Sequence, residues 1–371
     1  MRIALCSNYS HPNVGGSEKV ILQISESMVL KYGHTVRVFS LNVKNSIEYN
    51  GVSYCSCNSF PNLLHSLIKF QPDHTLVYSD CFVYWDEFVK HSHEVPGRKS
   101  IALVGMNHMR SKLGSLIRFR EKLNQFTVIT HSNIYDDYIT CSCNNIPVTV
   151  IPNGIGLREF DNNTSDFRKK YSVSDKHIIL CVSNYFPGKG QEYLTPIYLK
   201  LKEKRSDWVA VMISSTVNFG FAGILEKNVK NSMSIAKIPV KFFKDLPRED
   251  VVGAFKQASV FAFPSQKEVA PIVVIEAQAC CLPWVSMPVG NVRDLRGGVV
   301  APYSVRNHLG FIKCTGETQQ FFVNKIDELI SNEEKRVLLG GAGRKQIVED
   351  YNWDKIADKY NEVFSNARPI A

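Results

Sequence analysis

The chain of 371 residues is 44% hydrophobic and 21% charged, which excludes a disordered or fibrous protein and is more than one ordinary core organises, so two domains are expected. Its apolar runs are short and broken by charge, which excludes a transmembrane span. The formal net charge is +9, with 15 Lys/Arg and 13 Asp/Glu in residues 1–165, so most of the excess lies beyond them; that suits phosphorylated substrates or an anionic membrane surface, and with no zinc-finger or RNA-recognition signature beside it, nucleic acid is not an expected partner.

Met1-Arg-Ile-Ala-Leu-Cys-Ser-Asn8 enters a strand at once, Ile3–Ser7, without the long apolar core and cleavage site of a signal peptide. Val14-Gly15-Gly16-Ser17-Glu18 follows and opens a helix. It is not the Gly-x-Gly-x-x-Gly of dinucleotide enzymes, which argues against a dehydrogenase. Adjacent glycines let backbone approach a ligand, and a helix N-terminus favours an anion, so Gly15 and Gly16 are candidate phosphate contacts. Val20, Ile21, Ile24, Met28 and Val29 recur at helical spacing over Ser17–Lys31, and Gly33-His34 ends that pattern. Strands are expected at Thr35–Leu41, Thr75–Tyr78, Ser100–Val104, Thr127–Thr130 and Val148–Ile151. Such a βαβ series implies a parallel sheet.

After Ser100–Val104, the cations Arg110, Lys112, Arg118, Arg120 and Lys122 interleave with Leu113, Leu116, Ile117 and Leu123. A basic amphipathic helix of this kind lies on anionic lipid or grips an anionic acceptor; the plain alternative is a solvated helix face. Pro152-Asn153-Gly154 is a turn signal, and the polar run Asp161-Asn-Asn-Thr-Ser-Asp166 marks a boundary near residue 160. A second series begins at His177–Ser183 and continues through Trp208–Ile213, Val240–Phe243, Val260–Phe263, Trp284–Ser286 and Val299–Val300. Cys55/Cys57 and Cys141/Cys143 are Cys-x-Cys pairs, not the Cys-x2-Cys of zinc sites, and free thiols in a reducing cytoplasm are expected.

The densest chemistry lies in Glu268-Val-Ala-Pro-Ile-Val-Val-Ile-Glu276. A buried strand precedes it, and Pro271 suits the first turn of a helix that carries Glu276. One carboxylate then sits on the loop at a strand's carboxyl end and the other in the next helix, the edge where open α/β sheets bind ligands. Ionised carboxylates are acceptor-only groups, suited to the diols of ribose and hexose. Lys189, in Val182-Ser-Asn-Tyr-Phe-Pro-Gly-Lys-Gly190, follows the first strand of the second series and would act on phosphate as a point charge.

The Glu268-x7-Glu276 pair with its tail Ala-Gln-Ala-Cys-Cys-Leu-Pro283, together with Gly15-Gly16-Ser17-Glu18 and Lys189-Gly190, resembles the retaining GT-B glycosyltransferases of family 4 (glycosyl transferases group 1). The resemblance covers almost the whole chain, and its specific motifs lie in the second half. It implies an α/β GT-B fold, two Rossmann-like domains with parallel sheets facing an interdomain cleft. Residues 1–160 would be the acceptor domain, joined by a terminal helix at 355–371 that crosses back, and 161–354 the nucleotide-sugar donor domain. It further implies that Glu268 meets donor-sugar hydroxyls, Glu276 the ribose, and Lys189 with Gly15 and Gly16 the diphosphate. His108 would orient the sugar or stabilise the transition state, so the implied catalytic set is Glu268, His108 and Lys189. Asn184, Leu246 and the run Ala270-Pro271-Ile272 complete the donor contacts.

Four positions depart from the family pattern: Asn184 stands where Arg is usual, Val269 and Cys281 where Gly is usual, and Gly156 where Asp is frequent. The activity implied is retaining transfer of a hexose from a UDP- or GDP-sugar to a glycan or lipid-linked acceptor. A cytoplasmic location, with peripheral contact to the inner membrane face, goes with it. No Asp-x-Asp occurs, so neither a metal nor another cofactor is expected. A GT-B sugar-nucleotide epimerase and a degenerate nucleotide-binding GT-B protein are the alternative readings.

Overall fold

The computed structural model describes residues 1–13, 15–41, 43–78, 84–104, 120–216, 220–302, 306–307 and 310–366. They fall into two compact units, Met1–Gly154 with Trp353–Ala371, and Ile155–Asn352. The chain changes unit directly after Pro152-Asn153-Gly154.

The first unit holds an eight-stranded sheet in the order β3-β4-β2-β1-β5-β6-β7-β8. Its strands are β1 (Arg2–Ser7), β2 (Thr35–Ser40), β3 (Ile47–Tyr49), β4 (Val52–Ser56), β5 (His74–Tyr78), β6 (Arg98–Leu103), β7 (Thr127–Thr130) and β8 (Val148–Val150). Every pairing is parallel except β3 with β4, a hairpin turned by Asn50 and Gly51, both at positive φ. The central strands β1 and β5 are buried on both faces, β1 through its apolar run of Ile3, Ala4, Leu5 and Cys6, and β5 with His74 and Thr75 buried beside Leu76, Val77 and Tyr78. Helix Gly16–Leu30 buries Val20, Ile21, Ile24 and Met28, while Val29 is only half-buried. The last helix, Trp353–Asn366, packs on it. Trp353 Nε1 donates to Ser27 Oγ at 2.7 Å, and Lys31 pairs with Asp358 at 2.7 Å. A Cβ on Gly154 would stand 2.6 Å from the Trp353 ring, so the turn needs glycine to let this helix dock.

The second unit holds a six-stranded, wholly parallel sheet in the order β11-β10-β9-β12-β13-β14. Its strands are β9 (His177–Val182), β10 (Trp208–Ser214), β11 (Val240–Lys244), β12 (Val260–Phe263), β13 (Trp284–Ser286) and β14 (Gly298–Val300). The chain builds outward from β9 through β10 to β11, then returns to the other side of β9 with β12. The order therefore reverses between β9 and β12, and a crevice opens outside the carboxyl ends of strands at such a reversal. The loops that leave β9 and β12 carry Lys189 and Glu268.

Among the described residues no helix is long and apolar enough to cross a membrane.

Candidate active site

Two glycines let the loops after β9 and β12 lie against each other. Gly190 has φ 76, and a Cβ there would stand 2.1 Å from the Pro264 carbonyl oxygen. Gly188, at φ 88, gives its carbonyl to the Gln266 amide at 2.7 Å and to Ser265 Oγ at 3.2 Å. Side chains close the junction: Lys189 Nζ lies 2.7 Å from Glu268 Oε1, and Ser265 Oγ donates to the same oxygen at 2.7 Å. The ammonium keeps further N–H donors for a second anion, and its side chain is 32% exposed against 14% for Glu268.

Asn184 binds protein where a cation is usual. Its Oδ1 accepts the Ser215 amide at 2.8 Å, and its backbone oxygen accepts Gln191 Nε2 at 2.9 Å. It thereby ties the loop after β9 to the one after β10 and adds no charge.

Helix Ile272–Ala279 starts one residue later than expected, with Pro271 as the residue just before it at φ −69. Pro271 is buried, and Ala270 and Ile272 are half-buried beside it. Glu276, one turn in, is almost wholly buried. Arg248 Nη2 reaches its Oε1 at 2.6 Å, and the same guanidinium takes both oxygens of Glu159, at 2.5 and 3.1 Å. Burial works against the Arg248 cation, yet Glu276 and then Glu159 outweigh it and hold the group above the usual guanidinium range.

Sequence reasoning missed Arg248, Glu159 and Ser265. One signal was present: Arg248 is the first residue of helix Arg248–Gln257, where the positive end of the helix dipole disfavours a cation. A cation there needs an anionic partner.

Leu246, expected at the nucleotide, packs half-buried against the core of this unit. Cys281 adopts φ 54, the left-handed region expected of a residue that replaces glycine. The Val269 carbonyl accepts the Asn291 amide at 3.1 Å and abuts Gly290, where a Cβ would stand 2.3 Å away.

In the first unit, Gly15 is extended, a conformation open to any residue. A Cβ there would lie 2.2 Å from Glu18 Oε2, and the Glu18 carboxylate thus folds back over the start of helix Gly16–Leu30. Arg120 and Lys122 are exposed on the short helix Arg120–Leu123, with Leu123 buried. His108, Arg110, Lys112 and Arg118 lie outside the described residues, so the basic amphipathic segment is described only at its end.

Residues 162–346 match the family model for glycosyl transferases group 1. A Corynebacterium glutamicum GDP-mannose-dependent monoacylated alpha-(1-6)-phosphatidylinositol monomannoside mannosyltransferase is 23% identical over 74% of this chain and 68% of its own length. The GPI3 subunit of Saccharomyces cerevisiae phosphatidylinositol N-acetylglucosaminyltransferase is 20% identical over 98% of this chain and 82% of its own. Among solved structures, sucrose-phosphate synthase from Thermosynechococcus elongatus superposes with a TM-score of 0.83 at 17% identity, covering 99% of this chain and 98% of that one. Anabaena HepE in complex with UDP and glucose superposes at 0.74 with 16% identity, covering 98% and 99%. At these identities the structural likeness concerns the fold, which is GT-B.

Proposed function

This chain belongs to the glycosyl transferases group 1 family, and from that premise we propose that it is a retaining hexosyltransferase that uses a UDP- or GDP-sugar and needs no metal. The observation that carries the reading is the placement of Lys189, Glu268 and Glu276 at the strand-order reversal of the second unit. Two carboxylates and an ammonium there match the three parts of such a donor. Glu276 takes the ribose diol, Glu268 the sugar hydroxyls, and Lys189 the diphosphate.

In this reading the acceptor hydroxyl oxygen bonds to the anomeric carbon on the face the diphosphate leaves. The bond from that carbon to the phosphate oxygen breaks, and its electron pair goes with the diphosphate, which also takes the hydroxyl proton. No protein general base is needed. Lys189 stabilises the charge that grows on the leaving oxygen, a fixed electrostatic contribution of the kind that dominates group transfer. Asn184 supplies no second cation, so the diphosphate of this chain is held with less fixed charge than a loop with arginine would give.

Two relatives are named for phosphatidylinositol-based acceptors, and one is named for GDP-mannose. These names favour a lipid-linked acceptor and keep GDP beside UDP as the donor base. The exposed Arg120 and Lys122 support contact with an anionic membrane surface.

A thermal-shift screen of UDP, GDP, ADP, CMP and dTDP with their common sugars, with and without EDTA, tests the donor assignment. A ligand that binds only the native state raises the midpoint. A rise with one nucleotide family, unchanged by EDTA, is expected. No rise at millimolar concentration overturns the reading, and a rise abolished by EDTA overturns its metal-free part.

A further inference from the structure

A carboxylate that receives a ribose diol has to be ionised and pointed, and the buried Glu276 stands in an unfavourable place for a charge. Its side chain is only 5% exposed, and burial penalises a lone charge. The compensation comes from outside its own helix. Arg248 donates to Oε1 at 2.6 Å, from a side chain that is itself 39% exposed. Glu159 then fixes the plane of the guanidinium by taking Nε at 2.5 Å and Nη2 at 3.1 Å, a two-point grip that a lysine could not receive. The guanidinium also lies 5.5 Å from the Phe160 ring centre. Three short helices, Leu157–Asp161, Arg248–Gln257 and Ile272–Ala279, each contribute one member of this chain of charges.

We propose that Arg248, clamped by Glu159, is a positioning residue for the nucleotide: it keeps Glu276 charged and turned to accept the ribose hydroxyls. The inference rests on the assignment of Glu276 to the ribose. Arg248 acts through Glu276, so its removal changes the state of that carboxylate and leaves Lys189 and Glu268 untouched.

Arg248 and, behind it, Glu159 face Glu276 from neighbouring helices, and Cys280 faces it from the residue after its own helix. Burial first, and then the Glu276 charge, push the Cys280 thiol up to about 12, so it stays protonated through neutral pH. Removing Arg248 takes one cation from the buried Glu276 carboxyl while its burial remains, and both changes in that balance raise its pKa. Nucleotide affinity in such a variant should therefore fall as pH falls and recover as pH rises.

The test is calorimetric titration of UDP and of GDP into wild type, Arg248→Met, Arg248→Lys and Glu276→Gln between pH 6 and pH 9. The fold of each is checked by circular dichroism. For the nucleotide that wild type binds, Arg248→Met should be weaker by about tenfold for each unit by which the Glu276 pKa exceeds the pH. The deficit relative to wild type should close towards pH 9. Arg248→Lys should restore much of the affinity and remove the extra pH dependence. Arg248→Met that binds as wild type does, or that is weaker by one factor at every pH, overturns the role while leaving Glu276 on the ribose. Glu276→Gln that binds as wild type does sinks the ribose assignment and this inference with it.

Discussion

Lys189 Nζ and Glu268 Oε1 lie 2.7 Å apart, and this ion pair joins the loops after β9 and β12 where the strand order reverses. Each group holds the other in place while each is proposed to meet a different part of the donor. We expect Lys189→Ala and Glu268→Gln each to lower kcat/KM by about 10²–10³-fold without loss of fold, the usual scale for a group that stabilises developing charge. The double variant should lose far less than the product of the two, because the residues share one interaction. Initial rates with circular dichroism on the same samples check this. Near-wild-type rates for folded Lys189→Ala would refute the role given to it.

Gly290 controls the same loop from beneath. It has φ 51, and a Cβ there would meet the Val269 carbonyl oxygen at 2.3 Å and the Glu268 carbonyl oxygen at 3.1 Å. Backbone cannot swing away as a side-chain tip can, so Gly290→Ala should destabilise the second unit by about 1–3 kcal/mol. It should also weaken donor binding by shifting Glu268. Gly341→Ala is the control. That position is helical with open space around it, and alanine should stabilise it by up to about 1 kcal/mol. Urea melts of both variants give the comparison, and equal stabilities would show that the Gly290 turn yields freely.

Cys281 is strained in the left-handed region. At φ 54 a cysteine pays the left-handed penalty of about 1–3 kcal/mol, partly offset by the smaller chain entropy it loses on folding. Cys281→Gly should raise the stability of the second unit by about 0.5–1 kcal/mol and leave transfer unchanged. A lower melting midpoint would mean that the thiol makes contacts worth more than the strain.

The fold was legible because its signal is repetitive. Strands such as Val260–Phe263 and Trp284–Ser286 are short apolar runs between polar turns, and the sheet buries them as such. The hairpin β3–β4 was overlooked although Asn50-Gly51 is a strong two-residue turn signal, because Cys55, Ser53 and Ser56 dilute the alternation around it. The places of Glu268, Glu276 and Lys189 after β9 and β12 follow from spacing within one motif or one loop. The pairing of Glu159 with Arg248 was not legible, since they stand 89 positions apart and meet only once the second unit has folded. The fold-back of Glu18 over Gly15 was hidden for a different reason, because it depends on a rotamer.

His74 gives the first unit an acid-sensitive seam. It opens β5, is fully buried, shares a hydrogen bond of 2.9 Å with Ser100 Oγ, and lies 4.8 Å from the Phe364 ring of the last helix. Burial is the main cause that lowers its pKa from 6.5 to about 3, with Arg98 and Lys99 adding to it. Above pH 6.5 the imidazole is neutral whether the chain is folded or not. Between 6.5 and about 3 the unfolded chain binds a proton that the native chain refuses, so native stability is full at neutral pH and is lost as pH falls. The loss approaches about 1.4 kcal/mol for each unit below 6.5, or roughly 2 kcal/mol by pH 5. His74→Gln keeps a polar partner for Ser100 but cannot titrate, so its stability should fall less over the same interval. Hydrogen exchange read by mass spectrometry on β5 and on helix Trp353–Asn366 follows this unit separately from the second. An equal acid-induced loss of protection in wild type and His74→Gln would show that other groups set the slope.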